Sequence, residues 1–138
     1  MTAKTPMFLV VDDEPDMCWA FEHIIESVGM TARSALSGGK ALELLRRDSY
    51  QMAFLDAKLP DIDGLELAKK IRRLAPSIRI VVVSGYFYQN DPMVETALQE
   101  KRIDGFVSKP FKNDEILRII RSVSQLPASS GDMGNPFH

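Results

Sequence analysis

Five short apolar runs alternate along this chain with five segments of helical periodicity, and this alternation limits the fold more than any other feature. Most of the runs are rich in β-branched or aromatic side chains, and they end at polar or turn-forming residues. Such runs predict strands that are buried on both faces of a sheet. The predicted strands are Met7–Val11, Thr31–Leu36, Gln51–Leu55, Ile78–Val83 and Gly105–Ser108.

Helical segments fill the intervals between the predicted strands. Apolar residues recur at three- and four-residue spacing over residues 15–28, where Gly29 supplies the stop, and the same spacing returns in the later segments. Each later segment begins at a side chain suited to capping the first turn. The predicted caps are Ser37, Asp63, Asp91 and Asn113.

Strict alternation of strand and helix predicts an α/β fold. We expect a single (βα)5 unit whose doubly wound, parallel, five-stranded sheet carries helices on both faces. This domain should cover residues 7–125, after an N-terminal arm at residues 1–6. The last stretch, residues 126–138, is rich in proline, serine and glycine and lacks periodicity, so we expect a flexible C-terminal tail there.

Composition excludes several classes of function. The 138 residues carry 17 basic and 19 acidic side chains, a formal charge of −2, so no basic excess predicts direct binding of nucleic acid. The basic run Lys69–Arg73 is interpreted as the solvated side of a helix. No apolar stretch approaches the length of a membrane span, and the single cysteine, Cys18, excludes an internal disulfide. We therefore expect a cytoplasmic protein that does not enter a membrane.

Residues suited to phosphate chemistry follow four of the five predicted strands. In a doubly wound sheet the ligand site lies beyond the carboxyl ends of the strands. Asp12, Asp13 and Asp56 would repel one another there unless a divalent cation bound between them, and an all-oxygen site favours Mg²⁺ or Mn²⁺. Lys109 can contact a phosphoryl oxygen, and Ser84 can donate a hydrogen bond to another. Asp56 is then placed to attack phosphorus in line.

Four sequence blocks resemble the signature blocks of response-regulator receiver domains from two-component signalling. They follow the family's order at compatible spacing, and the resemblance runs from about Met7 to Gln125, nearly the whole chain. It implies the flavodoxin-like receiver topology. The blocks are Val10-Val11-Asp12-Asp13-Glu14, residues 54–64, Val82-Val83-Ser84-Gly85 and Val107-Ser108-Lys109-Pro110-Phe111.

The resemblance assigns a role to each matching residue. It implies that Asp56 is the phosphoacceptor and that Asp12 and Asp13 hold the metal ion. The remaining assignments are the backbone carbonyl of Lys58 as a further metal ligand, Lys109 as the phosphate-binding lysine, Ser84 and Phe106 as switch residues, and Pro110 as the residue after a cis peptide bond.

The resemblance also implies partners and a mode of action. A receiver takes its phosphoryl group from a histidine kinase or a phosphotransfer protein and catalyses its own phosphorylation and dephosphorylation. Phosphorylation draws Ser84 toward the phosphoryl group and turns Phe106 inward. The surface made by the fourth helix, fifth strand and fifth helix then binds a downstream effector or a second copy. We thus expect a signalling phosphoprotein and not an enzyme with an external substrate.

Two features depart from the family pattern. The interval from Ser84 to Lys109 is roughly three residues longer than the resemblance leads us to expect. The additional residues fall in an extended loop at residues 86–90. The fourth helix, expected to run to about Lys101, also lacks the small residue that often follows it in receivers.

Two bulky side chains are predicted to flank the path of water to the phosphoryl group. Lys58 lies two residues after Asp56, and Tyr86 lies two residues after Ser84. We expect this pair to gate access and to slow self-dephosphorylation. Two alternatives stay open for the aromatic loop, which can pack on the fourth helix or present an exposed patch to a partner.

Three other classes of protein match parts of this pattern. A haloacid-dehalogenase-type phosphatase needs a second aspartate two residues after its nucleophile, where this chain has Lys58. A flavodoxin-like electron carrier needs a hydroxyl- and glycine-rich loop after the first strand, whereas the acids found here would repel a flavin phosphate. An interaction module that works without phosphorylation needs none of the five site residues. A phosphoacceptor therefore explains the sequence best.

Overall fold

A computed structural model describes residues 7–85 and 91–124, and this part of the chain forms one parallel sheet of five strands with five helices. The predicted α/β, (βα)5 fold is confirmed. The predicted arm at 1–6, the tail at 126–138 and the loop at 86–90 lie outside the described residues. In chain order the elements are β1 (Met7–Val11), α1 (Pro15–Glu26), β2 (Thr31–Ala35), α2 (Gly38–Arg47), β3 (Met52–Asp56), α3 (Gly64–Leu74), β4 (Arg79–Ser84), α4 (Pro92–Gln99), β5 (Gly105–Ser108) and α5 (Asn113–Ser124).

The order of the strands in the sheet is β2-β1-β3-β4-β5, so the direction of winding reverses between β1 and β3. Parallel pairing places Val11 of β1 opposite Leu55 of β3, and Asp56 opposite Val83 of β4. Because all strands run in one direction, their carboxyl ends meet at one edge of the sheet. Doubly wound sheets bind their ligands in the crevice at this reversal.

Helices cover both faces of the sheet, which explains the continuous apolar runs in the sequence. Successive strand residues point to opposite faces. Phe8 and Phe54 pack with α1 and α5, whereas Leu9 and Leu55 pack with α2, α3 and α4. All four side chains are fully buried. No helix within residues 7–85 and 91–124 is long and apolar enough to cross a membrane.

Two of the four predicted helix caps are confirmed. The hydroxyl of Ser37 accepts a hydrogen bond from the N–H of Lys40, and a carboxylate oxygen of Asp91 accepts one from the N–H of Met93. The observed limits of β2, β3 and β4 differ from the predicted limits by one residue. Helix α1 ends at Glu26, two residues before the predicted end.

The other two predicted caps are wrong. Asp63 occupies the cap position of α3, but its side chain makes no capping hydrogen bond. Helix α5 begins at Asn113 itself. The residue before it, Lys112, donates its N–H to the carboxylate of Glu115 at 2.9 Å, which is the return half of a capping box.

Arg72 shows that the interpretation of the basic run as a solvated face is incomplete. Its side chain is 24% exposed, and its guanidinium donates to the carboxylate of Asp104 at 2.9 Å and to the carbonyl oxygen of Ile78. The same carboxylate oxygen of Asp104 accepts a hydrogen bond from the N–H of Ile80 at 2.8 Å. Arg72 therefore links α3 to the starts of β4 and β5.

The end of α4 contains a residue in the left-handed conformation. Helix α4 ends at Gln99, short of the predicted Lys101, whose φ is 61°. The N–H of Lys101 donates to the carbonyl oxygen of Leu98 and the N–H of Arg102 to that of Ala97, the pattern of a Schellman motif. Glycine is the usual residue at this position because a Cβ atom is disfavoured there.

Replacing Lys101 with glycine should stabilise the protein. Glycine adopts a positive φ without the Cβ penalty, so we expect the free energy of unfolding to rise by about 1 kcal/mol. Lys101→Ala is the matched control, because it removes the same charged chain and keeps the Cβ atom. Urea unfolding followed by circular dichroism measures both variants. Equal stability of the glycine and alanine variants would contradict the prediction.

Candidate functional site

Two acidic segments meet where the strand order reverses. Asp12 and Asp13 directly follow β1, and Asp56 is the last residue of the neighbouring strand β3. The N–H of Asp12 donates to the carbonyl oxygen of Ala35 at 3.1 Å, which extends the pairing of β1 with β2 by one residue. The sheet therefore fixes the backbone from which these carboxylates project.

The carboxylates of Asp12, Asp13 and Asp56 form a compact cluster. One oxygen atom from each residue lies within 4.8 Å of the other two. Asp12 is only 3% exposed, Asp56 is partly buried, and Asp13 is exposed. Burial, and then the negative charge of Asp12, raise the pKa of Asp56 above its ordinary value. The site thus concentrates negative charge where water screens it poorly.

Lys109 places a positive charge against this cluster. Its Nζ lies 3.4 Å from Oδ2 of Asp12 and 3.7 Å from Oδ1 of Asp56, and its charge opposes the rise in the pKa of Asp56. The N–H of Lys109 donates to the carbonyl oxygen of Ser84 at 3.0 Å, continuing the pairing of β5 with β4. The Lys109–Pro110 peptide bond is cis, as the resemblance implies. Lys109 therefore reaches across β4 to the acidic cluster.

The donors in this cluster fit a hard divalent cation. Within the described residues the cluster offers carboxylate oxygens and no nitrogen or sulfur ligands. One lysine faces three carboxylates, so a net negative charge persists that a divalent ion would neutralise. The exposed side chain of Asp13 leaves the cluster open toward solvent on one side. The acidic cluster can therefore bind a metal ion.

Ser84 and Phe106, the predicted switch residues, are both buried next to this site. Ser84 ends β4 and is 1% exposed, while Phe106 lies in β5 and is 7% exposed. Phe106 packs in the core on the face covered by α2, α3 and α4. The structure thus shows the inward arrangement of Phe106, and a switch requires a second, outward arrangement.

The β3–α3 loop, residues 57–63, carries the predicted ligand and gating residue Lys58. The side chain of Lys58 is exposed. A backbone hydrogen bond from Lys58 lowers the pKa of Asp56, but its effect is smaller than that of burial. The other predicted gating residue, Tyr86, lies outside the described residues.

Asp61 lies in the same loop and makes a contact that the sequence did not predict. Its two carboxylate oxygens accept hydrogen bonds from the N–H groups of Gly38 and Gly39, each at 2.9 Å. The pair of glycines directly after the cap Ser37 is the one sequence signal for this contact, because it marks a helix start that another backbone or side chain can approach closely.

Comparison with known families and proteins agrees with this geometry. The model of the family described as response regulator receiver domain matches residues 8–121. The C4-dicarboxylate transport transcriptional regulatory protein DctD of Rhizobium meliloti (strain 1021) is 32% identical over 125 residues, which cover 91% of this chain and 26% of DctD. The DNA-binding transcriptional regulator NtrC of Escherichia coli (strain K12) is 27% identical over 116 residues, or 83% of this chain and 24% of NtrC. The chain thus spans about a quarter of each relative.

Solved structures share the fold over most of the chain. A CheY-like response regulator receiver domain protein from Methanospirillum hungatei JF-1 gives a TM-score of 0.78 at 25% identity, covering 86% of this chain and 93% of that one. A response regulator from Burkholderia pseudomallei gives a TM-score of 0.72 at 28% identity, covering 83% of this chain and 66% of that one. The second structure contains a phosphorylated aspartic acid, a calcium ion and citrate.

The metal-free protein should become more stable when Asp56 is replaced with asparagine. The substitution removes one charge from a partly buried cluster of like charges and changes the shape of the side chain little. We expect the free energy of unfolding at pH 7 to rise by about 1 kcal/mol, which corresponds to roughly 4 °C in Tm. Calorimetry in EDTA measures the difference.

The stability gained by Asp56→Asn should depend on pH. Because the pKa of Asp56 is raised in the folded state, the folded protein binds this proton more tightly than the unfolded chain does. The protonated carboxyl favours folding at low pH, and this contribution is lost as the pH rises through the raised pKa. The gap between wild type and variant should therefore shrink as the pH falls toward the ordinary carboxyl range. If the asparagine variant is less stable than wild type at pH 7, repulsion among the three carboxylates does not limit the stability of the protein.

Proposed function

The chain belongs to the response regulator receiver domain family of two-component signalling, and from this we propose that it accepts a phosphoryl group on Asp56 in a reaction that requires Mg²⁺ or Mn²⁺. The observation that carries the proposal is the cluster of three carboxylates with Lys109 at the reversal between β1 and β3. The phosphorylated aspartic acid and calcium ion of the Burkholderia pseudomallei response regulator support both parts by similarity.

The metal ligands in this proposal are oxygens from the ends of two neighbouring strands. Asp12, Asp13 and Asp56 contribute carboxylates, and the backbone carbonyl of Lys58 contributes a further oxygen. When bound, the cation would neutralise charge on these groups and on the phosphoryl oxygens. The all-oxygen donor set favours Mg²⁺ or Mn²⁺ over softer metals.

Asp56 acts as the nucleophile in this mechanism. One of its carboxylate oxygens attacks phosphorus in line, so an O–P bond forms while the bond from phosphorus to the donor's histidine nitrogen breaks and the nitrogen leaves with the electron pair. Lys109 holds one phosphoryl oxygen by its charge, and the hydroxyl of Ser84 donates a hydrogen bond to another. Attack by water on the same phosphorus later regenerates Asp56 and releases phosphate, so the receiver catalyses both steps on itself.

Phosphorylation is read out, in this proposal, through Ser84 and Phe106. The hydroxyl of Ser84 moves toward the phosphoryl group, and Phe106 then favours its inward position in the core. Residues of α4, β5 and α5 shift with it and change the surface that binds an effector or a second copy. A small difference in free energy between the two packings is sufficient, because phosphorylation needs only to shift their populations.

The proposed partners follow from the phosphoryl chemistry and from the relatives. A histidine kinase or a phosphotransfer protein supplies the phosphoryl group, and an effector receives the signal. DctD and NtrC are transcriptional regulators of which this chain covers about a quarter, whereas we propose that the receiver at residues 7–125 does not itself contact nucleic acid. We propose that it acts in the cytoplasm.

Acetyl phosphate and Mg²⁺ should add one phosphoryl group to the wild-type protein and none to Asp56→Asn. The asparagine side chain keeps the shape but cannot act as the nucleophile. Lys109→Ala should be labelled about a hundredfold more slowly, because one phosphoryl oxygen loses its cationic partner. Intact-mass spectrometry at timed intervals, with and without EDTA, follows the label.

A matched control for this labelling is Asp63→Asn, which makes the same chemical change at an exposed aspartate of the adjoining loop. It should be labelled at the wild-type rate. Labelling of Asp56→Asn at the wild-type rate, or labelling that is unaffected by EDTA, would show that the assigned nucleophile or the metal requirement is wrong.

The lifetime of the aspartyl phosphate should shorten several-fold in a double variant, Lys58→Asn with Tyr86→Ala. Smaller side chains at both positions would open the in-line path of water to phosphorus. The single variant Lys58→Asn isolates the residue that the structure describes. Release of inorganic phosphate after removal of the donor measures the decay. Unchanged decay in both variants would contradict the gating role. It would leave the two alternatives for the aromatic loop, packing on the fourth helix or binding of a partner.

A further inference from the structure

Backbone contacts close the base of the β3–α3 loop. The N–H of Gly64 donates to the carbonyl oxygen of Ala57 at 2.8 Å, and Lys58 pairs with Asp63 in an isolated antiparallel bridge. A Cβ atom at Gly64 would lie 2.5 Å from the carbonyl oxygen of Asp56, so glycine allows α3 to start this close to the end of β3. The base of the loop is therefore held against the strand that carries the phosphoacceptor.

Asp61 fastens the tip of the same loop to a different helix. Its Oδ1 and Oδ2 accept hydrogen bonds from the first two N–H groups of α2, those of Gly38 and Gly39, at 2.9 Å each. The first turn of α2 contains no acidic residue of its own, so Asp61 supplies the negative charge that the positive end of a helix favours. These hydrogen bonds lower the pKa of Asp61, which keeps the carboxylate charged at neutral pH.

The loop and α2 also touch through a close apolar contact. A Cβ atom at Gly38 would overlap Cγ2 of Ile62, whereas a Cβ atom at Gly39 would lie 3.5 Å from Oδ2 of Asp61, an ordinary contact distance. The loop therefore approaches α2 at a distance that position 38 permits only as glycine. The tip is therefore held by two kinds of contact, the hydrogen bonds of the Asp61 carboxylate and the steric contact of Ile62.

We propose that Asp61 is a positioning residue for the metal site, because its contacts with α2 hold the β3–α3 loop, which carries Lys58 and the backbone carbonyl assigned to the metal in the proposed function. Lys58 belongs to the base of the loop, where it pairs with Asp63, and lies three residues before Asp61 at the fixed tip. A ligand that is held from both sides binds metal with less loss of conformational freedom on binding. This inference rests on the proposed function, since it assumes that the cluster holds a cation.

A purely local role for Asp61 makes a different prediction. If the carboxylate serves only as a cap for α2, its removal lowers the stability of the protein and leaves the intrinsic metal affinity of the folded state unchanged. Metal affinity measured well below the unfolding temperature of each variant separates the two roles. Unfolding of the metal-free protein measures the stability of each variant, and metal binding measures the affinity. Neither measurement depends on phosphorylation.

The test compares Asp61→Ala with Asp63→Ala in the full chain, using Mn²⁺ as the probe. Both variants remove one exposed carboxylate from the same loop, but the hydrogen bonds to α2 are lost in the Asp61 variant alone. Free Mn²⁺ measured by electron paramagnetic resonance gives the dissociation constants. We expect Asp61→Ala to bind Mn²⁺ about tenfold more weakly than wild type. Asp63→Ala should stay within about twofold.

A second pair of variants leaves the carboxylate intact. Gly38→Ala places a methyl group against Ile62 and should weaken Mn²⁺ binding, whereas Gly39→Ala makes only an ordinary contact with Oδ2 of Asp61 and should not. Asp61→Asn keeps one acceptor oxygen and should show an intermediate affinity, which keeps the test decisive if the alanine variant does not fold. Slower hydrogen exchange at the amides of Gly38 and Gly39 in wild type than in Asp61→Asn would support the contact in solution.

The outcomes distinguish this inference from the function on which it rests. Weakened Mn²⁺ binding in Asp61→Ala and Gly38→Ala, with their controls near wild type, supports the positioning role. If wild type binds Mn²⁺ and Asp61→Ala falls within twofold of Asp63→Ala, the positioning role is overturned while the proposed function stands. If wild type fails to bind Mn²⁺ at millimolar concentration, both are overturned.

Discussion

Electrostatic repulsion among Asp12, Asp13 and Asp56 is the constraint on which the rest of this structure depends. The fold holds three carboxylate oxygens within 4.8 Å of one another, and in the part of the chain that the structure describes only the charge of Lys109 forms ion pairs with them. Such a cluster costs stability in the free protein, and a divalent cation bound between the carboxylates would relieve that cost. The same interaction thus explains why the cluster favours a cation and why, in the proposed function, Asp56 is phosphorylated only with the metal present.

The sheet, the helices that cover it and the loop after Asp56 hold this cluster in place. Helices on both faces bury the strands that carry the charged residues, so the backbone at the strand ends cannot relax away from the repulsion. Backbone hydrogen bonds continue the sheet past β1 and β5 to Asp12 and Lys109. The loop after Asp56 is held at its base by Gly64 and at its tip by Asp61. Stability in the core therefore supports a site that is unfavourable by itself.

The positions of residues at strand ends could be predicted from the sequence. Contacts between segments that are distant along the chain could not. Asp12, Asp56 and Lys109 end apolar runs, so the parallel sheet alone brings them together. The partner of Asp61 lies 22 or 23 positions away, and that of Arg72 lies 32 positions away, so neither local periodicity nor charge pattern reveals them. Asp63 was expected to cap α3 by residue type and does occupy the cap position, but its carboxylate makes no capping hydrogen bond. Lys101 is an intermediate case. The sequence shows that no small residue follows α4, but only the structure shows the consequence, a positive φ at Lys101.

A crystal structure of the protein with Mg²⁺ and beryllofluoride tests the central claim most directly, because it locates both the cation and the phosphoryl mimic. Our account predicts one ion held by Asp12, Asp13, Asp56 and the carbonyl oxygen of Lys58, with beryllium bonded to a carboxylate oxygen of Asp56 and a fluorine within hydrogen-bonding distance of Nζ of Lys109. Beryllium on a different carboxylate, or an ion bound away from this cluster, would contradict the account.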